Sequence, residues 1–194
     1  MKKIKLSVFS SGVGSNLLAI HKASIKKNFP GKLNLVICDK ICPAFKLAKS
    51  LNYETKLISS IDHKKFETLV HDELIKNKID LICLAGFMKI LSSDFIKKFR
   101  KPILNIHPSL LPKYKGLNTH RRAIKNNDKF SGATVHLVTS KLDSGKIILQ
   151  KKVRISKTDT EQILAKKVLK IEHKIYPAAI EKFLKKNLIL KEKV

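Results

Sequence analysis

The sequence predicts an α/β fold in which a mostly parallel, Rossmann-like sheet is flanked by helices and followed by an antiparallel hairpin and a long closing helix. Three observations predict it. Short apolar runs alternate with amphipathic helical segments through the first hundred residues, which is the pattern of βαβ units. The run DLICLA at residues 80–85 is apolar on both faces, as suits a central parallel strand covered by helices. Beyond residue 130 the rhythm changes to two runs rich in β-branched residues joined by a short polar connection, which reads as a hairpin. The expectation is one domain over residues 1–194, with a Rossmann-like part at 1–100 and a polar loop, hairpin and closing helix at 101–194.

Taken in order, residues 3–9 read as a buried strand that enters the turn SSGVGSN (10–16) before a helix starting near Leu17. Unpaired N–H groups at such a helix start favour a phosphate, although a short Gly-x-Gly is also common wherever a strand simply turns into a helix. Residues 33–38 form a second strand ending at Asp39, and residues 43–50 a helix with proline in its first turn. A short third strand at 55–58 precedes a helix at 63–77 with Phe66, Leu69, Val70 and Leu74 on one side. The central strand then ends in GFMKIL (86–91), and residues 103–106 form the next strand. A helix at 118–126 is capped at Asn118 or Thr119. The hairpin strands span 133–138 and 146–154. The closing helix runs from about 160 to 185, burying Ile163, Leu164, Val168, Ile171, Ile175, Ile180, Phe183 and Leu184, with Pro177 kinking or dividing it. The tail after Leu188 is expected to be loose at its end. Ligands of parallel sheets bind beyond the carboxyl ends of the strands, so segments 12–16, 86–91 and 105–116 should converge at one edge.

The formal charge of +26, from 41 Lys and Arg against 15 Asp and Glu, raises the question of nucleic acid. Its distribution argues otherwise: lysines are scattered through every segment, arginines are few, and most phenylalanines are isolated at apolar positions, so no stacking platform is visible. The excess reads as compositional bias that also attracts anionic substrates. Cys38, Cys42 and Cys83 are an odd number without metal-ligand spacing, and read as reduced thiols in or near the core. The apolar run at 6–9 is too short for a secretory signal and no apolar segment is long enough to span a membrane, so a cytoplasmic location is expected.

The stretch that concentrates chemistry is LNIHPSLLPKYKG, residues 104–116. Asn105 and His107 lie two apart at a strand end, so both side chains leave one face, with Cα atoms roughly 7 Å apart. A histidine can take a proton near neutral pH, and an asparagine amide can donate to an oxygen that becomes negative during acyl transfer. A strand end whose polar groups satisfy a proline-rich turn would use the same residues. Asp143 lies in the hairpin connection, where Asp-Ser-Gly needs no function to explain it. A carboxylate near His107 would nevertheless raise the histidine above its reference of about 6.5 and position it.

With LAGFMKIL before it and ATVHLVTSKLDSGKIILQ after it, this stretch closely resembles the folate-dependent formyltransferases, and the GVGSN turn is similar to that of the branch acting on glycinamide ribonucleotide. The resemblance covers nearly the whole chain. It implies the formyltransferase fold and a reaction in de novo purine synthesis: transfer of the formyl group of 10-formyltetrahydrofolate, as co-substrate, to the amine of glycinamide ribonucleotide. His107 then matches the catalytic histidine, Asn105 the amide that holds the formyl oxygen, and Asp143 the carboxylate that tunes the histidine. Gly14, Ser15 and Asn16 would cradle the ribonucleotide phosphate, and Glu172 matches a glutamate that contacts the ribonucleotide. The folate pocket would form around Met88, Lys89, Ile90 and Leu91 together with Asn105, with Lys64 nearby. The family often carries arginine where this chain has Lys64 and Lys89, and glutamine where it has Leu169. No metal is implied, and a weak homodimer stays open.

Three other readings accompany it. A formyltetrahydrofolate deformylase usually carries an N-terminal regulatory domain, whereas this chain opens directly on its first strand. A methionyl-tRNA formyltransferase would suit the basic charge but carries a further C-terminal domain. A noncatalytic RNA-binding module would need only the basic surface, leaving Asn105, His107 and Asp143 as coincidence.

Overall fold

The computed structural model describes residues 3–59 and 61–191. Among them seven strands form one sheet: β1 (Ile4–Ser10), β2 (Gly31–Cys38), β3 (Glu54–Leu57), β4 (Leu81–Leu84), β5 (Ile103–His107), β6 (Phe130–Leu137) and β7 (Ile147–Arg154). The spatial order is β3-β2-β1-β4-β5-β6-β7. β1 to β5 run parallel, and β6 and β7 add antiparallel. The chain builds outward from β1 on one side and then crosses to its other side with β4. That reversal opens a crevice at the carboxyl ends of β1 and β4, where a ligand of such a sheet belongs.

Strand parity sorts the core onto the two faces of the sheet. Leu6, Val8, Leu81 and Cys83 join one cluster with Leu17 and Ile20 of α1 (Ser15–Ser24) and Leu164, Val168 and Ile180 of α6 (Glu161–Lys191). Phe9, Ile82 and Leu84 join the other with Phe66, Val70 and Leu74 of α3 (His63–Lys76) and Phe95 and Phe99 of α4 (Ser93–Phe99). In β2 the alternation slips, because the β1–β2 register shifts after Leu6↔Leu33 to Ser7↔Leu35 and leaves Asn34 between. Tyr176 of α6 is fully buried, and its hydroxyl sits 2.8 Å from the Leu84 carbonyl and 3.1 Å from that of Leu104. The closing helix is thereby tied to the end of β4 and to the start of β5.

α2 (Pro43–Ser50) starts on its proline as expected, and α5 (Thr119–Lys125) follows the proline-rich loop. Several expectations need correcting. Leu69 and Ile163 are exposed, because the buried stripes of α3 and α6 are narrower than their apolar ones. α6 passes through Pro177 as one helix and continues to Lys191; the end of the tail, expected to be loose, lies outside the described residues. The short helix α4 has no counterpart in the sequence reading. All three cysteines are free and buried, and burial, with Cys42 beside it, pushes the Cys38 thiol up to about 12. No helix among the described residues is long and apolar enough to cross a membrane.

Candidate active site

Three strand-end segments meet at the crevice. Ser11, just past β1, donates its N–H to the Gly86 carbonyl (3.1 Å) and accepts from the Met88 N–H on Oγ (3.0 Å), which fixes the segment after β4. Glu67 of α3 takes the Ser92 N–H and hydroxyl, both at 2.6 Å, and the His63 Nε2 lies 2.7 Å from the Ile90 carbonyl. Residues 86–92 are thus held from both sides. The loop after β5 is pinned by Thr134 of β6, whose hydroxyl donates to the Ser109 carbonyl (2.7 Å) and accepts from the Leu111 N–H (3.1 Å) and Gln150 Nε2 (2.7 Å). Between these segments lies a cavity of about 530 Å³, within the roughly 300–1,000 Å³ range of small-molecule sites.

Asn105, His107, Asp143, Asn16, Glu172, Met88, Lys89, Ile90 and Leu91 all line it. Gly14, Ser15 and Lys64 do not. Gly14 is the left-handed residue ahead of α1 (φ +86°), and a Cβ there would lie 2.9 Å from the Ala44 Cα, so close packing on α2 by itself requires glycine. Lys64 is exposed on the first turn of α3. Lys89 Nζ stands 5.1 Å from the centre of the Phe66 ring.

At the floor, antiparallel pairing sets Asn105 opposite His136 and His107 opposite Thr134. Asn105 Nδ2 donates to His136 Nε2 (3.2 Å), and His136 Nδ1 donates to the Leu137 carbonyl (2.8 Å), an arrangement that leaves the second amide proton of Asn105 for a ligand. Asp143 has φ +44°, a conformation that Asp and Asn tolerate better than most residues. Its Oδ2 accepts from the Gly116 N–H (2.9 Å) and lies 3.3 Å from His107 Nδ1, while Oδ1 lies 3.5 Å from His136 Nε2. Gly145 completes this turn, since a Cβ there would collide with the Leu137 carbonyl.

The electrostatics reverse one expectation. His107 sits below, not above, the usual histidine range: burial pushes it down, the Tyr114 carbonyl and Asp143 pull it up, and His136 and Arg122 push it down again. For Asp143 burial pushes upward, but the His136 ring, the Gly116 N–H and the neighbouring His107 together bring it below the usual carboxylate range. The resting pair is therefore a neutral imidazole beside a carboxylate, ready to take a proton. On the opposite wall Glu172 is buried, and burial raises its carboxyl against the opposing effect of Asn16, whose Nδ2 donates to Oε2 at 2.6 Å.

The family model of formyl transferases matches residues 4–180. This chain belongs to the formyl transferase family. It is 39% identical over 195 residues to phosphoribosylglycinamide formyltransferase of Escherichia coli, covering 97% of this chain and 91% of that protein. It is also 39% identical over 184 residues to the human trifunctional purine biosynthetic protein adenosine-3, of which it spans only 18%. The crystal structure of phosphoribosylglycinamide formyltransferase from Brucella melitensis superposes with a TM-score of 0.90 at 39% identity, covering 94% of this chain and 96% of that one.

His136, His120, Thr134 and Tyr114 were not singled out from the sequence. A signal existed for two of them: Thr134 and His136 are polar residues two apart in the otherwise apolar run 133–138, the same spacing as Asn105 and His107. Among the described residues no group of three or more His, Cys, Asp or Glu could hold a metal ion.

Proposed function

We propose that this chain transfers the formyl group of 10-formyltetrahydrofolate to the amine of glycinamide ribonucleotide, releasing tetrahydrofolate and formylglycinamide ribonucleotide. The observation that carries the reading is the convergence of Asn105, His107 and Asp143 on one floor of a cavity of about 530 Å³. The wall of Met88, Ile90, Leu91 and Leu142 suits the flat, partly apolar body of a folate, while Lys89 and Lys141 offer charge to an acidic tail. Across the cavity, Asn16 stands at the start of α1, the end where helix N–H groups favour a phosphate, and its amide reaches Glu172 of α6. The ribonucleotide would lie there, with its amine directed at the floor.

Attack of the amine on the formyl carbon forms a tetrahedral oxyanion. The free proton of Asn105 Nδ2 donates to that oxygen. His107, neutral at rest, accepts the amine proton on Nδ1, and Asp143 at 3.3 Å stabilises the imidazolium so formed. The imidazolium then gives that proton to the folate nitrogen as the oxyanion collapses, so that the C–N bond breaks, tetrahydrofolate leaves and His107 is neutral again. Incubating the purified chain with both substrates tests the reading: mass spectrometry should find a formylated ribonucleotide only when both are present. An unmodified ribonucleotide after long incubation would reject it.

A further inference from the structure

The segment after Pro112 touches the floor through its main chain. The Tyr114 carbonyl lies 2.8 Å from Nε2 of His107, while Asp143 Oδ2 lies 3.3 Å from Nδ1. A neutral imidazole has one N–H to give to these two acceptors. The Tyr114 distance falls inside the ordinary N–H···O range of about 2.7–3.2 Å and the Asp143 distance outside it, so the proton belongs on Nε2 and the lone pair on Nδ1.

That carbonyl is held in an unusual place. Tyr114 has φ +56°, a region that non-glycine residues seldom occupy and that persists only where the surroundings over-determine it. Its hydroxyl donates to Asp128 Oδ2 (2.8 Å) and accepts from Asn126 Nδ2 (2.9 Å). Asp128 also receives Lys113 Nζ at 2.9 Å. The Arg122 guanidinium lies 5.0 Å from the centre of the Tyr114 ring, and its Nη1 donates to the carbonyls of Lys115 (2.7 Å) and Leu117 (3.4 Å). Neither Arg122 nor Asp128 lines the cavity.

We propose that Arg122 and Asp128 are positioning residues: by clamping Tyr114 they aim its carbonyl at His107 Nε2, fix the Nε2–H tautomer and reserve Nδ1 for the substrate's proton. This rests on the reading of His107 as the proton acceptor, but the tautomer can be measured without turnover. The groups facing the ring are Asp143 from the hairpin connection, His136 from β6, and His120 and Arg122 from α5. Arg122 therefore has a second effect, since its charge disfavours the imidazolium.

The test uses the full chain labelled with ¹⁵N at histidine, the His107 signals being assigned by their loss in His107→Asn. Above the titration of His107 the wild type should show a protonated Nε2 and a bare Nδ1; a protonated Nδ1 would overturn the proposal. Arg122→Met should give a mixture of tautomers and a kcat about tenfold lower, with both KM values within about twofold, and the acidic limb of kcat should move to higher pH. Arg122→Lys, which keeps the charge but loses the planar fork, should restore the limb and not the tautomer. Tyr114→Phe, the gentler variant, loses the Asp128 and Asn126 contacts and should also mix the tautomers. A wild-type tautomer in both Arg122→Met and Tyr114→Phe would refute the clamp. A protonated Nε2 in a wild type that fails to transfer formyl, together with mixed tautomers in those variants, would reject the reaction and uphold the clamp.

Discussion

Replacing Asp143 by Asn removes one charge and very little else. Asn is almost the same size and tolerates the left-handed backbone at this position (φ +44°), and its carbonyl can still accept the Gly116 N–H. What disappears is the attraction between the carboxylate and an imidazolium 3.3 Å away, both groups being nearly buried. At an effective dielectric of about 20, unit charges at this separation interact by about 5 kcal/mol, an upper bound on the loss. Positioned proton transfer contributes about 10²- to 10⁴-fold, or roughly 3–5 kcal/mol at 1.36 kcal/mol per decade, so the two scales agree. The expected plateau kcat is therefore about 10²- to 10⁴-fold lower. The sign of the pH effect follows from His107, which burial already holds below its ordinary value and which Asp143 pulls upward. Without Asp143 the ring protonates only at still lower pH, so the acidic limb of kcat should move down. Steady-state rates of tetrahydrofolate release from pH 5 to 9 would measure both effects. A plateau within tenfold of wild type, or a limb that stays put or moves up, would refute the reasoning.

Gly14→Ala should cost about 2–5 kcal/mol, from the left-handed backbone and the contact with Ala44, and lower Tm by about 5–15 °C, whereas Gly12→Ala, with nothing within 4 Å of the new Cβ, should stay within about 2 °C; equal melting temperatures would contradict this packing. Glu172→Gln keeps an acceptor for Asn16 while removing a charge that burial disfavours. Because the folded carboxyl is raised, native Glu172 carries a penalty that is absent at low pH and grows as pH rises past the unfolded value; the variant should match wild type in stability at pH 4 and equal or exceed it at pH 8. Its KM for the ribonucleotide should rise about tenfold, and denaturation at the two pH values with unchanged KM would speak against Glu172 as a ligand residue. Thr134→Val leaves the Ser109 carbonyl and Leu111 N–H without their partner and should cost about 1–3 kcal/mol in urea unfolding, with a lower kcat; a loss under about 0.5 kcal/mol would show that the loop is held otherwise.

The sheet was legible because a two-residue period survives in strands such as β1, where Leu6 and Val8 point one way and Phe9 the other, as the sequence alternation requires. Helix α4 was not, since it buries only Phe95 and Phe99, one turn apart, too few positions to establish a period. Leu69 and Ile163 are apolar but exposed, because how wide a stripe is covered depends on the neighbours and not on the helix. Pro177 lacks the N–H that would continue the helix, yet the preceding Tyr176 is bonded to β4 and β5, and tertiary bonding overrides the local preference. At the floor, Asn105 and His107 were readable from their spacing. Asp143 became persuasive only through the resemblance, since 27 residues separate it from Gly116, the group that receives its carboxylate. The direction of the His107 shift was not readable at all, because burial is the largest of its causes and sequence spacing shows only the opposing carboxylate.

The most direct measurement compares, with one preparation of the chain, tetrahydrofolate release from 10-formyltetrahydrofolate in the presence of glycinamide ribonucleotide, of methionyl-tRNA, or of neither. Formyl transfer predicts rapid release only with the ribonucleotide, matched mole for mole by formylated product and abolished in His107→Ala. Release at the same rate with buffer alone, accompanied by free formate, or release that requires the tRNA would contradict it.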